Sequence, residues 1–316
     1  MKQYLILLVF LLGSSLHAMA SENDQIRIGT NLWPGYEPLY LAQTYAGWPK
    51  DNVRLIRYPS SSEVIRAFRN KSIEAAGLTL DEVLTLEESG IGLKIILVMD
   101  VSNGADAILS KSHINTFEKL RGKRIVVEGS ALGAYMLTRA LNLNEMAIAD
   151  VEIYNAEINQ HEDLYLSDDT DAIVTFDPVR SSLVNKGAYE LFSSKNIPGE
   201  IVDVLVVRND LVQKKGATLQ AILKQWFLAL AEIKANKKDA LELVSSNLSM
   251  SRSDVELSYK NILLPTLAQN RSMLTDNNMG NTIARLSAVM TDAGLLMNKV
   301  NTDRLITNVV LERMDQ

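Results

Sequence analysis

The chain has no cysteine, only three histidines and fewer basic than acidic residues, and each shortage removes a class of function. Without cysteine there is no thiolate nucleophile, no disulfide framework and no thiolate metal site. Lys and Arg number 32 against 38 Asp and Glu, a net charge of −6 at pH 7. A nucleic-acid binder normally carries a basic patch, so nucleic acid is not expected as a partner. Seven prolines and 16 glycines in 316 residues are too few for a disordered or fibrous repeat. Enzyme signatures are missing as well: no G-x-S-x-G, no H-E-x-x-H, no phosphate-binding P-loop and no G-x-G-x-x-G behind a strand. The expectation is a protein that is not an enzyme and holds no cofactor or metal.

What is present is enough apolar material, 47% of residues, for one large or two medium domains. The first twenty residues read as a secretory signal. Lys2 gives the positive start, Leu5 to Leu12 a short apolar run, and Ala18-Met19-Ala20 a small-x-small cleavage site before Ser21. That run is too short for a membrane span of ~20 residues. No cysteine follows the cleavage point, so no lipid anchor is expected. A soluble periplasmic protein is, and a lack of thiols suits an oxidising compartment.

From Ile26 the chain alternates strands and helices. Strands are read at Ile26–Gly29, Val53–Tyr58, Ala75–Leu78, Leu93–Met99 and Ala107–Leu109, then at Ile125–Val127, Val151–Tyr154, Asp171–Val174, Glu190–Phe192 and Ile201–Val207. Helical stretches are expected at Leu39–Tyr45, Val64–Asn70, after Asp81 and at Ile114–Leu120, and from Ser130 and Ala217 onward. Another ends at Gly187, one follows a capping box at Ser253 and Glu256, and one runs along Ile283, Leu286 and Met290. This βαβ alternation predicts two α/β domains with mostly parallel sheets. A strand-to-strand succession near Val101–Ala107 and the long apolar run Ile201–Val207, with its hinge at Asp203–Val206, read as the two chain crossings. The first lobe is then 21–103 with 207–316, and the second is 104–206.

The stretch Val126–Leu141 looks like a strand end, a small-residue turn and a helix capped by Ser130. In open α/β sheets such turns lie at the edge where ligands bind. Polar groups at strand ends are therefore the ones to watch: Thr79, Asp100, Ser102, Asn103, Asp106, Glu128, Ser130, Thr175, Asp177 and Asp203. Charge pairs such as Asp81-Glu82, Glu87-Glu88 and Asp168-Asp169 read as solvated faces. His113 and His161 read as loop residues in polar surroundings.

Four segments carry a family resemblance: Trp33-Pro-Gly-Tyr-Glu-Pro-Leu-Tyr-Leu-Ala42, Ser102-Asn-Gly-Ala-Asp-Ala-Ile108, Leu120-Arg-Gly-Lys-Arg-Ile-Val-Val127 with the following G-S-x-x-G-A-Y, and Thr175-Phe-Asp-Pro178. The chain resembles the nitrate/sulfonate/taurine-type substrate-binding proteins of ABC importers, a group that includes binders of thiamine-pyrimidine precursors. The resemblance implies a type II periplasmic-binding-protein fold: two α/β lobes joined by two hinge crossings, with a small-molecule ligand in the cleft between them. The partner it implies is an ABC permease or a membrane sensor, and the protein itself would be a monomer. By position, it puts ligand contacts on Trp33, Tyr36, Thr79, Ser102, Asn103, Gly104, Ala105, Ser130, Ala131, Leu132, Gly133, Phe176 and Asp177; Glu128 joins them on its own position at a strand end, where this chain departs from the family. In anion-binding members the helix after Ser130 would receive a nitrate or sulfonate on its N-terminal N–H groups. Glu128 stands beside that point, and two like charges ~4 Å apart repel by about 4 kcal/mol at an effective dielectric of ~20. The expected ligand is therefore a small nitrogen-containing or zwitterionic solute, its ammonium or other cationic nitrogen met by Glu128 or Asp177 and boxed by Trp33 and Tyr36.

Overall fold

Runs of β-branched and apolar residues pair into two separate sheets in a computed structural model that describes residues 25–315 apart from Asp168, Asp276, Asn277 and Lys299. The secretory segment expected over residues 1–20 lies outside that range. The strands are β1 (Ile26–Thr30), β2 (Val53–Arg57), β3 (Ala75–Thr79), β4 (Leu93–Ser102), β5 (Asp106–Ser110), β6 (Arg124–Val127), β7 (Glu152–Asn155), β8 (Ala172–Phe176), β9 (Tyr189–Ser193), β10 (Val202–Arg208) and β11 (Ile262–Leu263). One sheet has the order β11-β4-β10-β3-β1-β2 and the other β7-β6-β8-β5-β9.

Neither sheet is as parallel as the βαβ reading predicts. β1 runs parallel to β2 and β3, but β10 is antiparallel to both β3 and β4. In the second sheet β6 is parallel to β7 and β8, whereas β5 is antiparallel to β8 and β9. The reason is connectivity. β5 and β10 are the strands by which the chain arrives from the other lobe, so each begins at the cleft, whereas β1, β3 and β4 end there. The whole of β10 belongs to the first sheet, so the expected break at Val206 falls inside a first-lobe strand. The crossings are tied together: Ser102 N–H donates to the Ile201 carbonyl at 3.0 Å, and the Ser102 and Ser194 hydroxyls are 2.8 Å apart.

Around the sheets pack α1 (Glu37–Ala42), α2 (Ser61–Arg69), α3 (Leu80–Glu88), α4 (Ala131–Leu143), α5 (His161–Leu166), α6 (Val179–Asn185) and α7 (Leu211–Lys214). The C-terminal third supplies α8 (Gly216–Lys234), α9 (Lys238–Leu248), α10 (Arg252–Lys260), α11 (Leu267–Thr275) and α12 (Asn278–Asp292). In α8 the stripe Leu219, Ile222, Leu223, Trp226, Leu230 and Ile233 is buried as its spacing requires. Two local readings change. Ile114–Leu120 yields one 3-10 turn, Phe117–Leu120, because Phe117 and Leu120 can be buried in a single turn. The cap of α10 is Ser251, whose hydroxyl accepts from Asp254 N–H at 3.2 Å, so Ser253 lies inside the helix.

β10 is buried along nearly its whole length, flanked by β3 and β4, and Leu205 at its centre has no exposed surface. Leu205→Ala leaves a cavity between two well-packed strands. It is expected to cost about 2–5 kcal/mol, read as a lowered midpoint of chemical denaturation.

Candidate ligand-binding site

Strand direction explains which residues reach the cleft. β1 delivers Thr30 and Asn31, and β3 ends at Thr79, whose N–H donates to Glu82 Oε2 at 3.1 Å in the first turn of α3. β4 carries Asp100 near its end, and β10 carries Asp203 near its start. In register Asp203 stands opposite Asp100 on one side and Thr79 on the other. From the second lobe come Asp106, the first residue of β5, Glu128 after β6, Leu132 and Gly133 in α4, and Phe176 at the end of β8.

These residues enclose two adjoining chambers. The outer one lies between the lobes and is lined by Trp33, Tyr36, Thr79, Asp203, Asp106 and Phe176, together with Asn31, Ser61 and Leu132. The inner one lies within the second lobe, bounded by Glu128, Asp106, Gly133, Thr175, Leu132 and Phe176 with Met136 and Val174. Each holds about 10 Å³, room for about one water molecule. The lobes are thus drawn together. Glu128 Oε1 accepts from Ser61 N–H across the cleft at 3.0 Å, and Trp33 meets Phe176 edge to face with centroids 5.8 Å apart.

The electrostatics of this cleft are one-sided. No Lys, Arg or His lines either chamber, while Asp106, Glu128 and Asp203 do, with Asp81, Glu82 and Asp100 buried behind them. Asp100 accepts from Trp33 Nε1–H at 2.9 Å, and Asp203 accepts from the Tyr36 hydroxyl. Asp106 Oδ2 and Glu128 Oε2 have no hydrogen-bond partner at all. Glu37 shows the contrast: equally buried in the first lobe, it is bound by Arg57 at 2.6 Å and Asn247 at 2.8 Å. A buried carboxylate without such a partner prefers to be protonated.

Burial pushes Asp106 up to about 7, reinforced by Asp177 and Asp81 and opposed by Ser102 and Arg180. It pushes Glu128 up to about 7, with Glu157 adding to the effect and the Ser61 and Ser62 N–H groups opposing it. Asp81, Glu82, Asp100 and Asp203 are raised for the same first reason, desolvation.

Of the residues expected to touch ligand, the fold gathers Trp33, Tyr36, Thr79, Glu128, Leu132, Gly133 and Phe176 around the chambers. The others have different work. Ser130 caps α4 by accepting from Gly133 N–H at 3.4 Å, and Ala131 follows it without lining either chamber. Ser102 receives the Asp106 N–H, Asn103 is exposed, Gly104 donates to Ser194 Oγ, and the Ala105 carbonyl accepts from Asp177 N–H. Asp177 is not available as a counter-charge. Its oxygens accept from Ser181 N–H at 3.0 Å, from Ser181 Oγ at 2.7 Å and from the Ser258 hydroxyl.

Two glycines matter for geometry. A Cβ on Gly35 would fall 1.7 Å from Asp100 Oδ2, and one on Gly133 would fall 2.6 Å from the Glu128 carbonyl oxygen. The first admits the Asp100 carboxyl beside Trp33, and the second seats α4 against the strand that carries Glu128.

Asn31, Ser61, Asp106, Met136, Val174, Thr175 and Asp203 line the chambers although the resemblance does not point to them. Asp106 and Asp203 were legible only as polar strand-end groups. They open antiparallel strands, a direction that pattern alone does not give. The Asp81-Glu82 pair, expected on a solvated face, is buried, and its signal was the position directly after Thr79 at a strand end. His161 is also buried, at the start of α5, with its ring nitrogens 3.3 Å from Thr175 Oγ1 and from the Ala156 carbonyl; burial lowers it to about 4.

A pH dependence follows for Glu128. In the unfolded chain its carboxyl ionises near ~4.3, whereas in the folded chain it keeps its proton up to about 7. Between these values the folded state binds more protons, so its stability falls as pH rises. Glu128→Gln, which keeps an acceptor for Ser61 N–H, removes that loss. Thermal melts of the unliganded proteins should nearly coincide at pH 4, with the variant increasingly more stable toward pH 8.

Comparison with known proteins follows the geometry. Residues 19–246 match the NMT1-like family. The taurine-binding periplasmic protein of Escherichia coli strain K12 is 23% identical over 217 residues, 67% of this chain and 68% of that protein. Among solved structures, the alkanesulfonate-binding protein SsuA from Xanthomonas axonopodis pv. citri bound to MOPS superposes with a TM-score of 0.75 at 17% identity, covering 91% of this chain and 99% of that one. The desulfurization enzyme DSZB has a TM-score of 0.67 at 14% identity, covering 92% of this chain and 99% of that one. The two-lobed periplasmic-binding-protein fold is therefore shared by binding proteins and at least one enzyme. The resemblance to the nitrate/sulfonate/taurine-type substrate-binding proteins is borne out, and with the match spanning well over half of its length the chain belongs to the NMT1-like family.

Proposed function

We propose that this chain is an exported solute-binding protein that captures a small solute bearing a cationic nitrogen between its lobes and hands it to an ABC permease. The observation that carries the ligand's charge is the cation-free cleft with two unpartnered, buried carboxylate oxygens, on Asp106 and Glu128. An ammonium supplies what these groups lack: positive charge and N–H donors. A sulfonate or nitrate would instead face Glu128 at close range in a low-dielectric site. Among the described residues no helix is long and apolar enough to cross a membrane, and no group of acidic and histidine side chains is arranged to hold a metal ion.

Capture works by differential affinity. Closure buries Glu128 against Ser61 and removes Asp106 and Asp203 from water. With the cleft empty that costs desolvation or proton uptake. A cation between the lobes offsets the cost, so ligand favours closure about the two crossings. Trp33 and Tyr36 form the wall, with indole N–H and phenol O–H directed to Asp100 and Asp203, which fixes the ring orientations.

Reaction chemistry is the weaker reading, despite the fold shared with a desulfurization enzyme. The chain has no cysteine, and the His161 ring lies 3.3 Å from each of two protein oxygens.

Calorimetry against primary amines, zwitterionic amines, nitrate and alkanesulfonates tests the proposal. Amines should bind, and tighter at pH 8 than at pH 5, because Asp106 and Glu128 must lose protons to meet them. Trp33→Ala should weaken that binding by about tenfold, a loss of about 1.4 kcal/mol. A clear preference for nitrate or sulfonate contradicts it.

A further inference from the structure

The cleft has two chambers, and their walls differ along its length. The outer chamber holds Asp203 and Asp106 beside Trp33 and Tyr36, and the inner one holds Glu128 and Asp106. Leu132, Phe176 and Asp106 line both, so two of the three residues the chambers share are apolar. The unpartnered oxygens, Asp106 Oδ2 and Glu128 Oε2, are on residues only 3% exposed. One of them serves both chambers and the other only the inner one.

We infer that the cleft takes a two-headed cation: an elongated solute with a cationic nitrogen at each end and an apolar spacer between. This rests on the cationic reading above and narrows it. One ammonium in the outer chamber answers Asp203 and Asp106 and leaves Glu128 Oε2 without a cation in the inner chamber, which Leu132, Met136 and Val174 line together with Asp106 and Thr175. One ammonium in the inner chamber leaves Asp203, which accepts from the Tyr36 hydroxyl and is hydrogen-bonded to Asp100, without a cation. A second nitrogen removes either deficit, and methylenes between the two would lie against Leu132 and Phe176, whose burial favours them at roughly 25 cal/mol per Å² of apolar surface. Arg180 is held by Glu190 at 2.5 Å and lies 3.9 Å from Asp177, and it lines neither chamber.

Titration calorimetry of the intact mature protein with putrescine and cadaverine, against n-butylamine and n-pentylamine, tests this. The diamines should bind at least about tenfold more tightly than the monoamines of equal length. Glu128→Gln should erase that advantage by weakening the diamines at least about tenfold more than it weakens the monoamines, and a thermal melt establishes that the variant is folded. If monoamines bind as tightly as diamines, the two-headed inference is wrong while the cationic reading stands. If no amine binds and anions do, both are wrong. If Glu128→Gln weakens monoamines and diamines equally, Glu128 meets the first nitrogen and the assignment of the inner chamber to a second one is overturned.

Discussion

Negative charge taken out of water without a protein cation to meet it is the constraint on which the cleft depends. Asp106, Glu128 and Asp203 are each only 3% exposed, and the walls around them contain no basic side chain. Burying an ionised carboxylate alone costs several kcal/mol even after relaxation. Such groups either take up protons or wait for a ligand that brings the charge. Two other buried acids are matched: Glu37 has Arg57 and Asn247, and Asp177 has Ser181 and Ser258.

The fold creates that imbalance through its crossings. Because β5 and β10 start at the cleft, their first residues stand beside the last residues of β3, β4 and β8. Asp203 lies opposite Asp100 and Thr79, and Asp106 lies opposite Phe176. A sheet of purely parallel strands would line its edge with carboxyl ends alone. Two antiparallel entrants, one in each sheet, add their first residues to that edge, and the same strands join the lobes. In the proposed function, ligand contact and hinge are built from the same pieces of chain, and a cation that pulled Asp106 and Asp203 together would act directly on the connection between lobes.

Much of this was legible in the sequence. Alternating apolar runs located nearly every strand, Ser130 was identifiable as a cap, and Trp33, Tyr36 and Glu128 stood out by residue type and position. Strand direction was not legible, since Ile201–Val207 reads the same both ways; hence the expected parallel sheets and the underweighted Asp106 and Asp203. Local charge also misled. Asp81-Glu82 looks like a solvated face until Thr79 is known to end a strand at the cleft, and Asp177 looks like a free counter-charge until Ser258 arrives from 81 residues away. Both errors have one cause: burial of a polar group is decided by tertiary neighbours, which spacing along the chain does not report.

The central claim, that the empty cleft stores protons which a cationic ligand displaces, is tested most directly by counting protons released into weakly buffered solution as putrescine saturates the protein near pH 6.5. Release of protons on binding, diminished in Glu128→Gln and Asp106→Asn, is the predicted result. Saturation with no proton release, or with net proton uptake, would contradict the account.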